Sequence, residues 1–170
     1  MGDFKALSKY NVYDDFFTPK WVWEKVKKYV DIDLVIWEAC MLNAVKSNSA
    51  NIWRDWGYSV ISDTDMDILE EEPNGYDIII TNIPFNTELK KKILRRLMEL
   101  DKPFIIIMNV MNVFANYFGE IMNTEHIQVI YPRGKLHFER DGNKEQKNTS
   151  FYSCFVAYKL KLSNEDLIGV

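Results

Sequence analysis

Two short runs constrain this chain more than anything else in it: Ile78-Ile79-Ile80-Thr81-Asn82 and Phe104-Ile105-Ile106-Ile107-Met108. Neither alternates apolar with polar residues, so neither suits a sheet with one wet face. A strand that is apolar at nearly every position is covered on both faces, as in parallel sheets sandwiched between helices. The segment between them supplies a helix. Over Thr87 to Leu100, the residues Leu89, Ile93, Leu97 and Leu100 share one face, and Lys90, Lys91, Arg95 and Arg96 lie largely off it.

The rest of the pattern extends this alternation. Thr18 is placed to cap a helix that has Pro19 in its first position, with Val22, Val26 and Val30 forming its apolar stripe. Leu34 to Trp37 then reads as a short strand, Ala44 to Trp56 as a weak helix closed by Gly57, and Ser59 to Ser62 as another strand. Val110 to Met122 reads as a helix. After it, the runs 127–131, 134–139 and 151–159 read as strands without intervening helices, with 141–150 as a long hairpin loop. Helix–strand alternation followed by a block of strands predicts an α/β fold: a mainly parallel sheet with an antiparallel C-terminal edge. No internal repeat or linker divides the chain, so 1–170 is expected to form one domain.

Bulk properties narrow the function classes. The 170 residues are 47% hydrophobic and carry a formal net charge of −4, which is the wrong sign for a non-specific nucleic-acid binder. Contact with nucleic acid would need a local patch. Two candidates exist: Lys90, Lys91, Lys92, Arg95 and Arg96 on the helix, and Arg140, Lys144 and Lys147 around the late loop. The helix stripe also suits a plain solvated face. Cys40 and Cys154 sit in apolar runs and are expected to be buried, reduced thiols. His126 and His137 lack companions at metal-ligand spacing. The tryptophan pairs Trp21/Trp23 and Trp53/Trp56 are expected to pack core faces. With no signal-peptide-like or membrane-length apolar run, the expected location is cytoplasmic.

In an open parallel sheet, ligands bind beyond the carboxyl ends of the strands. Glu38, Asp63 and Asn82 each follow such an end, so one crevice is expected to collect them. Asn82-Ile83-Pro84-Phe85 is the most distinctive ending. The Asn82 amide oxygen accepts hydrogen bonds, Ile83 is held extended before proline and offers its carbonyl, and Phe85 offers a flat face. Two acceptors beside a ring suit a planar amine such as an extruded adenine. Taken alone, the same four residues also suit an ordinary strand end with a core phenylalanine.

The order of features resembles the S-adenosylmethionine-dependent DNA N6-adenine methyltransferases, particularly short versions from bacteriophages and large DNA viruses. Their strand ending in Asn/Asp-Pro-Pro-aromatic is matched by Asn82-Ile83-Pro84-Phe85. Their Phe/Tyr-Thr-Pro at a helix start is matched by Phe17-Thr18-Pro19, and their first acidic strand end by Ile36-Trp37-Glu38. The second acidic end is matched by Asp63, followed by Asp67-Ile68, and the last strands by the runs around 134–142 and 150–160. The similarity spans roughly residues 13 to 160 and implies a Rossmann-like methyltransferase fold. It implies that Asn82 and the Ile83 carbonyl hold the target amine, that Pro84 shapes the turn and that Phe85 stacks on the base. Glu38 and Thr18 would face the amino-acid end of S-adenosylmethionine, Asp63 its ribose and Asp67 its adenine, with Phe17, Pro19 and Ala39 also in the cofactor site. DNA would be the partner.

The chain departs from the pattern after Glu38. Family members carry Pro-x-x-Gly-x-Gly there; this chain has Ala39-Cys40-Met41-Leu42-Asn43-Ala44, with neither glycine. Glycines at such positions let backbone approach a ligand closely. Ile83 also replaces a proline, and few residues remain for a target-recognition domain. Three readings therefore stand: a working methyltransferase; a catalytically degenerate methyltransferase fold kept as a structural or partner-binding protein, for instance in a virion; or a chain with another cofactor or substrate, such as a protein glutamine amide.

Overall fold

The computed structural model describes residues 16–40, 49–63, 65–140 and 151–164. Its centre is a six-stranded sheet. In chain order the strands are β1 (Phe16–Phe17), β2 (Val35–Trp37), β3 (Ser59–Ile61), β4 (Ile78–Asn82), β5 (Phe104–Asn109), β6 (Ile127–Ile130), β7 (Glu139–Arg140) and β8 (Ser153–Tyr158). The helices are α1 (Lys20–Lys27), α2 (Ser49–Asp55), α3 (Thr87–Leu100), α4 (Val110–Val113) and α5 (Asn116–Ile121). The sheet order is β3-β2-β4-β5-β8-β6, and β1 and β7 form a separate antiparallel ribbon. Strands β3, β2, β4 and β5 run parallel. β8 pairs antiparallel with both β5 and β6, so β6 at the edge runs with the parallel set. This is a Rossmann-like α/β architecture, as expected: a mainly parallel sheet whose antiparallel pairing lies at the C-terminal edge.

Both faces of the central strands are covered. Ile79 and Ile106 point into one apolar layer with Leu89, Ile93 and Leu97 of α3. Ile78, Ile80, Ile105 and Ile107 point into the opposite layer with Trp23 and Val26 of α1 and Ile52 and Trp53 of α2. That two-sided burial is why neither run could alternate with polar residues. Trp23 and Trp53 contribute most to the second layer: both are fully buried, with ring centroids 6.0 Å apart. Trp56 is half-buried and packs edge-on against Trp53 at 5.2 Å, whereas Trp21 is exposed. Cys40 and Cys154 are buried free thiols.

Several local expectations need correction. Pro19 occupies the cap position of α1 and no side chain caps that helix; the Thr18 hydroxyl is engaged elsewhere. The 110–122 segment is two short helices, because the chain breaks at Phe114 and Ala115 before restarting. The 134–139 run is not a sheet strand. Leu136 and Phe138 alternate inward to cover the α1 side of the core, and only Glu139–Arg140 pairs, with β1. Alternation there reflects packing of an irregular segment over the sheet. The first residues of the expected 44–56 helix and the 141–150 hairpin loop lie outside the described residues. Among those described, no helix is long and apolar enough to cross a membrane.

Helix α3 is the best-defined local element. Asn86 accepts a hydrogen bond from Leu89 N at 3.0 Å through its side-chain oxygen, satisfying a donor that the first helical turn leaves open. Asn86→Ala is expected to lower stability by about 1 kcal/mol, read as a lower urea midpoint with unchanged slope. A midpoint equal to wild type would show that the cap contributes nothing.

Candidate functional site

The site begins with parallel strands ending at one edge. Trp37 lies in register with Ile61 on one side and Ile79 on the other. The residues that follow β2 and β3 therefore emerge side by side, while β4 continues past that level to Asn82. Glu38 leaves β2 with its backbone N still donating to Ile61 O at 3.0 Å. Its side chain turns inward and is 3% exposed. There the Thr81 hydroxyl donates to Glu38 Oε1 and accepts from Cys40 N, the latter at 3.1 Å. Glu38 Oε2 has no hydrogen-bond partner among the described residues. Burial pushes the Glu38 carboxyl up to about 7, against the opposing pull of the Thr81 hydrogen bond and of the nearby Cys40 backbone N–H.

Asn82, the last residue of β4, carries the second feature. Its Nδ2 donates to Thr18 Oγ1 at 3.2 Å, while its Oδ1 is buried and unpartnered among the described residues. Ile83 and Pro84 are buried. Phe85 is half-buried, and its ring meets Phe151 at 4.9 Å between centroids with a 57° tilt. The ammonium of Lys90 reaches back to the Phe85 carbonyl at 3.3 Å. Lys90 is 3% exposed, so it braces the turn rather than standing on a solvated face. Lys91 pairs with Glu88 at 2.9 Å.

Asp67 supplies a third inward carboxylate. It is buried, its Oδ1 accepts from Leu69 N at 3.0 Å, and its backbone N donates to Glu71 Oε2 at 2.8 Å. Its Oδ2 is unpartnered among the described residues. The Cys40 thiol is pushed up by burial first and then by the charges of Glu38 and Asp67, which places these groups in one neighbourhood. Asp63 is exposed and accepts from Asp65 N at 2.8 Å.

Of the sequence candidates, Glu38, Asp67, Asn82 and Thr18 have buried polar groups, with Glu38 meeting Thr81 and Asn82 meeting Thr18. Phe17 lies half-buried in the β1–β7 ribbon, and Pro19 and Ala39 are buried beside it and behind Glu38 respectively. Arg140 pairs with Phe16 through its backbone. Leu42, Ala44, Lys144 and Lys147 lie outside the described residues. Sequence reasoning missed Thr81 and Phe151. Thr81 had a signal: a hydroxyl inside a strand covered on both faces must find a partner, and the acid ending the neighbouring strand was the natural one. Phe151 had none, because its contact with Phe85 is set by how β8 enters the sheet.

Glu38 Oε2, Asp67 Oδ2 and Asn82 Oδ1 are thus buried acceptors with no donor among the described residues; successive strand residues face opposite sides, so Thr81 turns to Glu38 and Asn82 turns to Thr18. Leaving each buried group unmade costs about 1–3 kcal/mol. A ligand that recovers this would bring donors: an ammonium, ribose hydroxyls or an amine. A different groove, of about 340 Å³, lies between α3 and the loop after β3, lined by Leu69, Glu70, Lys92, Arg95, Arg96 and Glu99. It carries charges of both signs at its surface and has none of these unpartnered acceptors. Among the described residues no cluster of His, Cys, Asp or Glu suits a metal ion.

No family model matches the chain, and no curated protein matches it in sequence. Among solved structures, the chain is similar to a precorrin-6y C5,15-methyltransferase from Geobacter metallireducens GS-15. The identity is 12% and the TM-score 0.40, over 86% of this chain and 96% of that one.

Proposed function

We propose that the chain is an S-adenosylmethionine-dependent methyltransferase acting on the N6 amine of adenine in DNA. The observation that carries this reading is the Asn82 amide: a buried, unpartnered acceptor at the end of β4, followed by a pre-proline turn and a half-buried ring. An acceptor in that position suits a substrate that brings N–H donors, and Phe85 suits a planar one.

The cofactor fits the remaining groups. S-adenosylmethionine supplies an electrophilic methyl group on a sulfonium, together with an ammonium and ribose hydroxyls. Glu38 Oε2 would take the ammonium, Asp63 the hydroxyls and Asp67 Oδ2 an adenine amine. Asn82 Oδ1 and the Ile83 carbonyl would hold the target amine by its hydrogens, and the cofactor, when bound, would supply the methyl group. The contribution of the protein is positioning. DNA contact through Lys91, Arg140 and Lys144 belongs to the same reading, while Lys90 acts by bracing the Phe85 turn.

Titration calorimetry with S-adenosylhomocysteine, followed by transfer of a labelled methyl group to adenine-containing single- and double-stranded DNA, tests the proposal. Binding and incorporation into adenine are expected. The absence of both glycines after Glu38 favours a second reading, a non-catalytic descendant of the fold. No heat at high micromolar ligand would select it.

A further inference from the structure

The chain is acidic, with 25 Asp and Glu against 21 Lys and Arg. Its surface over α1 has the opposite sign. There α1, its C-cap and the 135–139 segment carry Lys20, Lys25, Lys27, Lys28 and Lys135 against Glu24 and Glu139. Lys25 and Lys27 suit the negative C-terminal end of the helix, but Lys20 stands in the first turn, where a cation is unfavourable. Lys20 and Lys27 also share the Trp56 ring, at 5.5 and 4.9 Å from its centre. Helix stability does not explain this crowding of ammonium groups.

Two exposed rings lie among these lysines. Trp21 is 39% exposed and Tyr152 62%. Lys25 Nζ lies 6.0 Å from the Trp21 ring centre, and Lys135 Nζ 5.3 Å from that of Tyr152. The His137 ring meets Trp21 at 6.4 Å between centroids. Leu136 and Phe138 are buried, so Lys135 and His137 alternate to the outer side of the same segment. One short stretch of chain thus ties the two rings together. Both also adjoin the strand ends: Trp21 follows Thr18, which meets Asn82, and Tyr152 O accepts from Val110 N where β5 stops.

We propose that this face binds a single-stranded nucleic acid, with bases stacking on Trp21 and Tyr152 and phosphates meeting Lys20, Lys25 and Lys135. The sign of the charge calls for an anionic partner. The rings select among anions: unpaired bases stack on exposed aromatic side chains, whereas the bases of a duplex are already stacked on one another. An acidic peptide would use the lysines and leave both rings without a role. The proposal rests on the proposed function only for the reaction that the bound strand undergoes; the binding itself is measurable without any activity.

Fluorescence anisotropy with a labelled oligodeoxythymidine strand, over a range of salt concentrations, tests it. Wild type is expected to bind this strand more tightly than a duplex of equal length. Joint Lys20→Glu and Lys135→Glu substitution should weaken binding by more than tenfold and flatten the salt dependence by about one unit of slope. Trp21→Ala and Tyr152→Ala should each weaken binding by roughly tenfold while the salt slope stays as in wild type. Both rings are exposed, so these variants are expected to keep the wild-type thermal midpoint. Tighter binding of the duplex, undiminished binding in the variants, or an equal loss from Lys92→Glu on α3 would overturn the proposal. A wild type that binds the strand through these residues but transfers no methyl group would refute the proposed function and leave this surface standing. Methyl transfer with an unchanged KM for DNA in all the variants would do the reverse.

Discussion

Replacing Asn82 with alanine is expected to reduce methyl transfer to adenine by roughly 10²- to 10³-fold, the usual scale for removing one preorganised polar group from a reacting centre. Affinity for S-adenosylhomocysteine should stay within about threefold of wild type, because the loss falls on the target nitrogen and not on the cofactor. Stability is the control. Asn82 gives up one hydrogen bond, to Thr18, which is worth about 1 kcal/mol. It also carries a buried oxygen with no partner among the described residues, whose removal returns a similar amount. The two terms nearly cancel, so the thermal midpoint should barely move. Equal loss of cofactor affinity and activity would place Asn82 on the cofactor. A large drop in the midpoint would make it a structural residue.

The second large effect concerns Glu38 and pH. The ordinary glutamate value of 4.5 rises to about 7 in the folded chain because burial disfavours the carboxylate. Between those values the folded chain holds a proton that the unfolded chain has released. Stability therefore is fully present below the ordinary value and falls as pH rises through 7, then levels off. At about 1.4 kcal/mol per pH unit, the loss across that window is about 3 kcal/mol.

Glu38→Gln keeps an oxygen for the Thr81 hydroxyl but cannot ionise. Urea unfolding at pH 5, 6, 7 and 8 should show a wild-type stability that declines relative to the variant, with the variant ahead by about 3 kcal/mol at pH 8. Parallel pH profiles would mean that Glu38 does not titrate in this window. Ligand binding should run the opposite way. A ligand with an ammonium favours the ionised carboxylate, so wild-type affinity for S-adenosylhomocysteine should rise from pH 6 to pH 8 while that of Glu38→Gln stays weak and flat.

Such an energetic conflict is expected of the proposed binding site. Glu38, Asp67 and Asn82 each bury an oxygen without a partner among the described residues, as Trp53 does its Nε1 and Ser153 its Oγ. Thr81 limits the cost by satisfying half of the Glu38 carboxyl from within the sheet.

Much of the architecture was legible from residue order. The runs at Ile78 and Phe104 announced two-sided burial, and the strand bounds Ile78–Asn82 and the helix Thr87–Leu100 follow directly from side-chain period and from the turn residues beside them. Periodicity is a local property, and these elements are long enough to express it. The candidate acids were also legible, because the end of a parallel strand is a sequence position as well as a place.

Other features depend on contacts between distant segments, which no local pattern records. The 134–139 run alternates like a strand, yet it covers the core without joining the sheet, since β8 already occupies the pairing edge of β5. Lys90 reads as part of a basic stripe, yet the fold turns its ammonium onto the Phe85 carbonyl. Thr18 reads as a helix cap, yet its hydroxyl meets an amide 64 residues away. Sequence alone determined the order of strands and helices and named the candidate polar residues at the strand ends. Tertiary structure decided which of their polar atoms are spent on the protein itself and which are left bare, because that depends on what packs against each one.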